Sequence, residues 1–205
     1  MTSNASNDIQ SIFVTPLMSR TLPLCTPEFL ERIRAYILEM ERSERSVSAS
    51  NAGGGWHSKG DFFDRKVPEV MQLRDAVLAA SADMTRNILP PELQRARIDV
   101  VFYAGSWANV SRDGAYNKVH NHPGAVWSGV VYVDMGNPDP EPRDNACIEF
   151  VDPRPGNIHA NKIQLRPSAG LLLMFPAWLH HYVNPYRGKG TRISIAFNVN
   201  VEVRP

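Results

Sequence analysis

With 205 residues, 43% of them hydrophobic and 21% charged, the chain is long enough for one domain with a substantial core and short for two. A formal net charge of +1 shows neither the basic bias of a nucleic-acid binder nor the acidic bias of a solvating tail. Two distant cysteines, Cys25 and Cys147, argue against a disulfide framework or a zinc-thiolate site.

Residues 1–10 are polar and rich in Ser and Asn, and they read as a disordered tail without the basic start and apolar run of a signal peptide. Ile12, Phe13 and Val14, before Pro16, suggest a short strand. Thr26-Pro27-Glu28 is a helix start, with an N-cap, proline at the first position and an acid in the first turn. Phe29, Ile33, Tyr36, Ile37 and Met40 follow at helical spacing. Residues 43–55 form a Ser/Asn/Gly-rich loop. A second helix starts near Pro68, carries the stripe Val70, Leu73, Val77, Met84 and Ile88, and ends at Pro90-Pro91.

Beyond residue 95 the pattern changes to strands. Ile98, Val100 and Phe102 alternate with other residues, and β-like runs follow at 107–110, 126–133, 147–151, 162–165, 170–175 and 192–199, separated by Pro- and Gly-rich turns. The expected fold is mainly β: a double-stranded β-helix (jelly roll, cupin-like) with an N-terminal helical part, 11–95, packed on a barrel core, 96–205, in a single domain 1–205. The longest apolar run, 171–175, is far short of a membrane span, so a soluble, cytoplasmic protein is expected.

Four of the six histidines fall in two close pairs. In an extended segment, residues two apart share a side, so His120 and His122 can reach one metal ion together. His180 and His181 are adjacent and point to opposite faces, so one of them faces any site. On the last strand Arg192 and Ser194 share a face, opposite Ile193, Ile195, Phe197 and Val199. A cation and a hydroxyl there suit the carboxylate end of a ligand, although an arginine taken alone more often pairs with a structural acid. Residues 184–190 read as a turn between two antiparallel strands, which would bring Arg192 beside the strand carrying His181.

The order HxH, then a distal histidine, then RxS resembles the 2-oxoglutarate/Fe(II)-dependent oxygenases, and in particular an uncharacterised bacterial and phage branch. The matching stretches include Gly54-Gly55-Trp56-His57-Ser58, His120-Asn121-His122-Pro123-Gly124, Phe175-Pro176-Ala177-Trp178-Leu179 and Arg192-Ile193-Ser194-Ile195-Ala196-Phe197-Asn198. The resemblance implies a jelly roll holding Fe(II), with 2-oxoglutarate and O2 consumed to hydroxylate a C–H bond of a small-molecule or side-chain substrate. It implies His120 and His181 as metal ligands, His181 being chosen over His180 by its spacing after the Phe-Pro-x-x-Leu stretch. It further implies Arg192 and Ser194 on the 5-carboxylate of 2-oxoglutarate, and Asn109 as a further cosubstrate contact.

The family's usual carboxylate ligand is replaced here by His122. A 2-His-1-carboxylate triad leaves three open positions on Fe(II). Three neutral histidines also leave three open, with one negative charge fewer, and admit Zn(II) or Ni(II). Either His122 ligates directly, or a nearby acid replaces it, or oxygenase activity is absent; direct ligation is the expectation. The alternative function is a cupin-like three-histidine metal-binding protein or dioxygenase that does not use 2-oxoglutarate.

Other residues carry further expectations. Trp56 and His57 belong either to a lid over the pocket or to a loop docked on the barrel. Asp152 and Arg154 read as a turn with an internal ion pair, and Trp107, Trp127 and Trp178 as barrel core. His159 is assigned no role. The N-terminal helices could cover a barrel edge or form a homodimer face.

Overall fold

The computed structural model describes residues 14–47, 52–90, 92, 100–154 and 162–203. The expected tail at 1–10, the change of architecture near 95 and His159 lie outside them.

The first helix, α1 (Pro27–Ser43), starts where the sequence stops competing with it. Thr26 Oγ1 accepts from the Phe29 N–H at 3.3 Å, and Pro27 occupies the first turn, where no amide partner is needed. Phe29, Ile33, Ile37 and Met40 form its buried stripe. α2 (Pro68–Ile88) buries Val70, Leu73, Val77, Ala80, Ser81 and Met84, and Ser81 Oγ donates back to the Val77 carbonyl at 2.8 Å, so burying its hydroxyl leaves no polar atom unpaired. Ile88, expected on this stripe, is 50% exposed because it sits in the last turn, at the end of the helix.

Thirteen named strands occur among the described residues, and the pairings between them are antiparallel. The larger sheet has the order β1 (Met18–Thr21), β10 (Leu171–Pro176), β6 (Trp127–Asp134), β13 (Arg192–Val203), β4 (Val100–Ser111), β3 (Trp56–His57). The second has the order β2 (Ala52–Gly53), β5 (Tyr116–His120), β11 (His181–Val183), β8 (Ile148–Val151), β9 (Lys162–Leu165). A small ribbon pairs β12 (Gly188–Lys189) with β7 (Asn137–Pro138). The two sheets make the jelly roll, with both helices packed against β4 on the outside of the larger sheet, α1 also touching β6.

Period two on β13 divides the molecule. Ile193, Ile195, Phe197 and Val199 are fully buried in one apolar cluster with the stripes of α1 and α2. Arg192 and Ser194 point the other way, into the barrel. A second cluster, Tyr132, Ile148, Phe150, Leu173, Phe175 and Leu179, fills the space between the sheets.

Three local expectations change. Ile12 and Phe13 lie outside the described residues, and the first strand forms after Pro16, at Met18–Thr21. The two runs around 100–102 and 107–110 are one strand, because β13 pairs with β4 along its whole length, from Arg192 opposite Ser111 to Val203 opposite Val100. The expected hairpin between His181 and Arg192 is absent: β11 pairs with β5 and β8, whereas β13 pairs with β4 and β6. The segment between them crosses from one sheet to the other. Tyr186 pins that crossover from its buried position, its hydroxyl donating to the Lys189 carbonyl at 2.6 Å and accepting from the Asn137 N–H at 3.1 Å.

Candidate active site

A cavity of about 440 Å³ opens between the two sheets, a size typical of small-molecule sites. His120 closes β5 and His181 opens β11, directly opposite it in register. His122 lies just past β5, held by its N–H donating to the Ala177 carbonyl at 2.8 Å. The three rings converge, with centroids 4.4–5.2 Å apart, and offer one nitrogen each, all within 4.8 Å of one another. His180 is exposed, so of the adjacent pair it is His181 that enters the cavity.

Local hydrogen bonds select which nitrogen each ring presents. His120 Nδ1 lies 2.7 Å from the Lys118 carbonyl and His181 Nδ1 lies 2.9 Å from the Leu179 carbonyl. A carbonyl only accepts, so the proton of each neutral ring sits on Nδ1 and the Nε2 lone pair is free. Burial lowers all three pKa values, that of His122 to about 4 and that of His181 to about 3, with the neighbouring histidines adding to the effect. At neutral pH the trio is therefore uncharged, the state a metal requires of its ligands. Among the described residues no Asp or Glu lines the cavity, so these offer no acid in place of His122.

Across the cavity stands Arg192. It is 4% exposed and makes no ion pair among the described residues; its Nε has no hydrogen-bond partner, and its guanidinium lies 5.2 Å from the centre of the Tyr132 ring. Burial pulls its pKa below the usual arginine range and pushes the Tyr132 hydroxyl up to about 12. A buried cation with no carboxylate beside it is costly unless a ligand supplies one. Ser194 follows on the same face. Asn109, its cross-strand neighbour, reaches the Ser194 hydroxyl and carbonyl with Nδ2 at 3.5 Å.

His57 extends this row. It pairs with Asn109 across β3 and β4, its ring bonds the Asn109 side chain, and its Nδ1 is buried without a partner. Trp56 is buried, pairs with Val110 of β4 and donates from Nε1 to the carbonyl of Glu44 at the end of α1 at 3.0 Å, so this segment is docked on the barrel and His57 is part of the cavity wall. The Asp152–Arg154 turn holds its ion pair at 2.7 Å, outside the cavity. Trp127 is core as expected. Trp107 instead lines the cavity 6.0 Å from the His122 ring, and Trp178 is 51% exposed. Sequence reading missed Tyr132 and Asn198. The alternation along β13 that singles out Arg192 and Ser194 also points to Asn198, whereas Tyr132 is hidden in a continuous apolar run.

Residues 105–198 match the sequence profile of a family described as "Putative 2OG-Fe(II) oxygenase", and this span contains the histidine trio, Arg192, Ser194 and Asn109. No curated protein sequence matches the chain. Among solved structures, the fold is similar to that of a prolyl-4-hydroxylase from Pseudomonas putida (15% identity, TM-score 0.59, covering 90% of this chain and 91% of that one). It is also similar to HygX from Streptomyces hygroscopicus, solved with nickel and 2-oxoglutarate bound (10% identity, TM-score 0.61, 91% and 83%). A third similar fold is that of a prolyl hydroxylase from Trichoplax adhaerens, in complex with a peptide fragment of hypoxia inducible factor (13% identity, TM-score 0.60, 91% and 83%). The profile match makes residues 105–198, the part of the chain that carries the histidine trio and most of the jelly roll, similar to the 2-oxoglutarate/Fe(II)-dependent oxygenases, oxidoreductases that use Fe(II) and 2-oxoglutarate.

Proposed function

We propose that His120, His122 and His181 are the three protein ligands of Fe(II), and that Arg192 and Ser194 hold the 5-carboxylate of 2-oxoglutarate, with Asn109 orienting Ser194. The observation that carries this reading is Arg192, buried with no carboxylate partner among the described residues, facing a neutral histidine trio across one cavity. The donor set suits the metal: the Nε2 lone pairs of His120 and His181 and a nitrogen of His122 converge on one point and would leave room on a metal for a bidentate 2-oxo acid and O2. When bound, the iron supplies the oxidising chemistry that couples conversion of 2-oxoglutarate to succinate with hydroxylation of a C–H bond. The protein's own part is positional. Arg192 neutralises the far carboxylate, Ser194 Oγ donates to it while accepting from Asn109, and Phe175 packs against His181 at 4.6 Å between ring centroids, keeping water from that side. Two dicarboxylate-binding groups at one end and a metal site at the other are what a cupin-like protein without 2-oxoglutarate would not need.

The same reading treats residues 11–95 and 96–205 as one domain, supported by the apolar cluster that α1 and α2 share with the larger sheet. It places the protein in a reducing cytoplasm, supported by the free thiols of Cys25 and Cys147. A homodimer through the helical face belongs to the same reading, and a monomeric mass by light scattering at micromolar concentration dismisses it. No helix among the described residues is long and apolar enough to cross a membrane.

Anaerobic titration calorimetry with Fe(II) and 2-oxoglutarate tests the central claim. A charge-assisted hydrogen bond is worth about 1.5–3 kcal/mol. Arg192→Met is therefore expected to weaken 2-oxoglutarate binding at least about tenfold with metal content unchanged. Arg192→Lys recovers only part, since it keeps the charge and loses the planar fork. Unchanged binding by Arg192→Met, or no binding by the parent, overturns the proposal.

A further inference from the structure

The three histidines are not held alike. His120 and His181 have Nδ1 tied to main-chain carbonyls, Lys118 and Leu179, which no side-chain motion can withdraw. His122 has no such tie. Its Nδ1 instead faces the side-chain amide of Asn198, with Nδ2 at 3.3 Å. Asn198 lies on the cavity side of β13, six residues beyond Arg192, with Gly105 and Ser128 as its cross-strand neighbours. Its Oδ1 is buried and has no hydrogen-bond partner.

The chemistry of this contact has two states. With Nδ2 toward the ring, the amide N–H donates into the Nδ1 lone pair. The proton of the neutral ring then sits on Nε2, and that nitrogen has no lone pair to give a metal. A half-turn of the amide exchanges its ends. Oδ1 then accepts from Nδ1–H, and the Nε2 lone pair is released toward the other two rings. In this second state Oδ1 gains the ring N–H as its partner and Nδ2 takes the place that Oδ1 leaves.

We infer that Asn198 sets the tautomer of His122, and thereby decides whether the third nitrogen of the trio coordinates a metal. The inference rests on the proposed ligand role of the trio. Asn198 is a positioning residue: it acts through His122. An amide suits the task because one end can donate and the other accept, so the same side chain satisfies the ring before and after metal entry. A ligand tied to a backbone carbonyl lacks this freedom. The position occupied elsewhere in the family by a carboxylate is thus filled here by a histidine whose competence as a ligand depends on a neighbour.

The test uses the whole chain with 15N-labelled histidine, and Zn(II) as the probe. In the metal-free parent, 15N chemical shifts are expected to show His122 protonated on Nε2 and His120 and His181 on Nδ1. With Zn(II) all three carry the proton on Nδ1. Asn198→Asp, an isosteric side chain that only accepts, is expected to place the His122 proton on Nδ1 without metal and to tighten Zn(II) binding, read against a chromophoric chelator. Asn198→Leu, of similar size and without hydrogen bonds, is expected to weaken Zn(II) at least about tenfold, in the range found when partners of metal-bound histidines are removed. His122→Ala separates the two levels of the argument. If it binds Zn(II) as tightly as the parent, the trio and the inference both fall. If it loses Zn(II) while Asn198→Leu binds like the parent, or if Asn198→Asp leaves the metal-free tautomer unchanged, the inference alone falls.

Discussion

Burial of the histidine trio ties stability to pH before any ligand arrives. His122 and His181 have folded-state pKa values of about 4 and about 3, below the ordinary 6.5, because a protonated ring loses its hydration in the cavity. In the unfolded chain both rings take up protons near pH 6.5. Between pH 6.5 and about 3 the unfolded state therefore binds more protons than the native state, and stability falls as pH falls. It is fully present above pH 6.5. Urea midpoints of the metal-free protein should decline through this window, and His181→Gln should flatten the slope. An equal slope in parent and variant would place the acid sensitivity in other groups. The sequence made the trio visible because HxH and a distal histidine have a recognisable order. It could not reveal Asn198 or Tyr132 as partners, because which side chain a ring meets depends on register between strands far apart in the chain.

At the scale of elements, β6 shows how closely the larger sheet is packed. Gly129 lies between Met174 of β10 and Phe197 of β13. A Cβ at this position would sit 2.5 Å from the Leu173 carbonyl oxygen and against the Phe197 ring. The carbonyl is held in the strand pairing and cannot swing aside as a long side chain could. Gly129→Ala is expected to destabilise the protein by about 1–3 kcal/mol, the usual cost of overpacking, read as a lower denaturant midpoint with unchanged slope. Element boundaries were legible where a pattern ran long enough. The N-cap and stripe of α1 and the alternation of β13 are examples. Strands of two residues, such as Ala52–Gly53 and Gly188–Lys189, carry no period to detect. The segment before Arg192 was read as a hairpin because Asn, Pro and Gly signal that a chain turns. They do not say which sheet the next strand joins. Trp178 was expected inside on residue type alone, and an aromatic ring carries no direction without a register.

For the whole molecule, one sheet serves two sides. The face of β13 that packs on α1 and α2 and the face that bears Arg192 and Ser194 belong to the same backbone. Trp127 reinforces the connection, its Nε1 donating to Thr85 Oγ1 of α2 at 2.8 Å. Leu73 of α2 is fully buried in the shared cluster. Leu73→Ala should cost about 2–5 kcal/mol. If the chain folds as one domain, helix signal by far-UV circular dichroism and tryptophan fluorescence should lose stability together in this variant. Separate transitions would split the helical part from the barrel. Where the variant remains folded, its affinity for 2-oxoglutarate should match the parent's, since Leu73 touches nothing in the cavity.

The crossover that replaces the expected hairpin gives the cavity a property of its own. His181 and Arg192 are separated by few residues in the chain but stand on opposite walls, and Tyr186 clamps the connecting segment. On the proposed reading, the span between the metal and the far carboxylate is therefore set by the two sheets. It is not the reach of a flexible loop. The wall works as a caliper for chain length. With the trio holding the metal and Arg192 the far carboxylate, as proposed above, a dicarboxylate one carbon shorter or longer than 2-oxoglutarate should bind more weakly, which titration calorimetry would read.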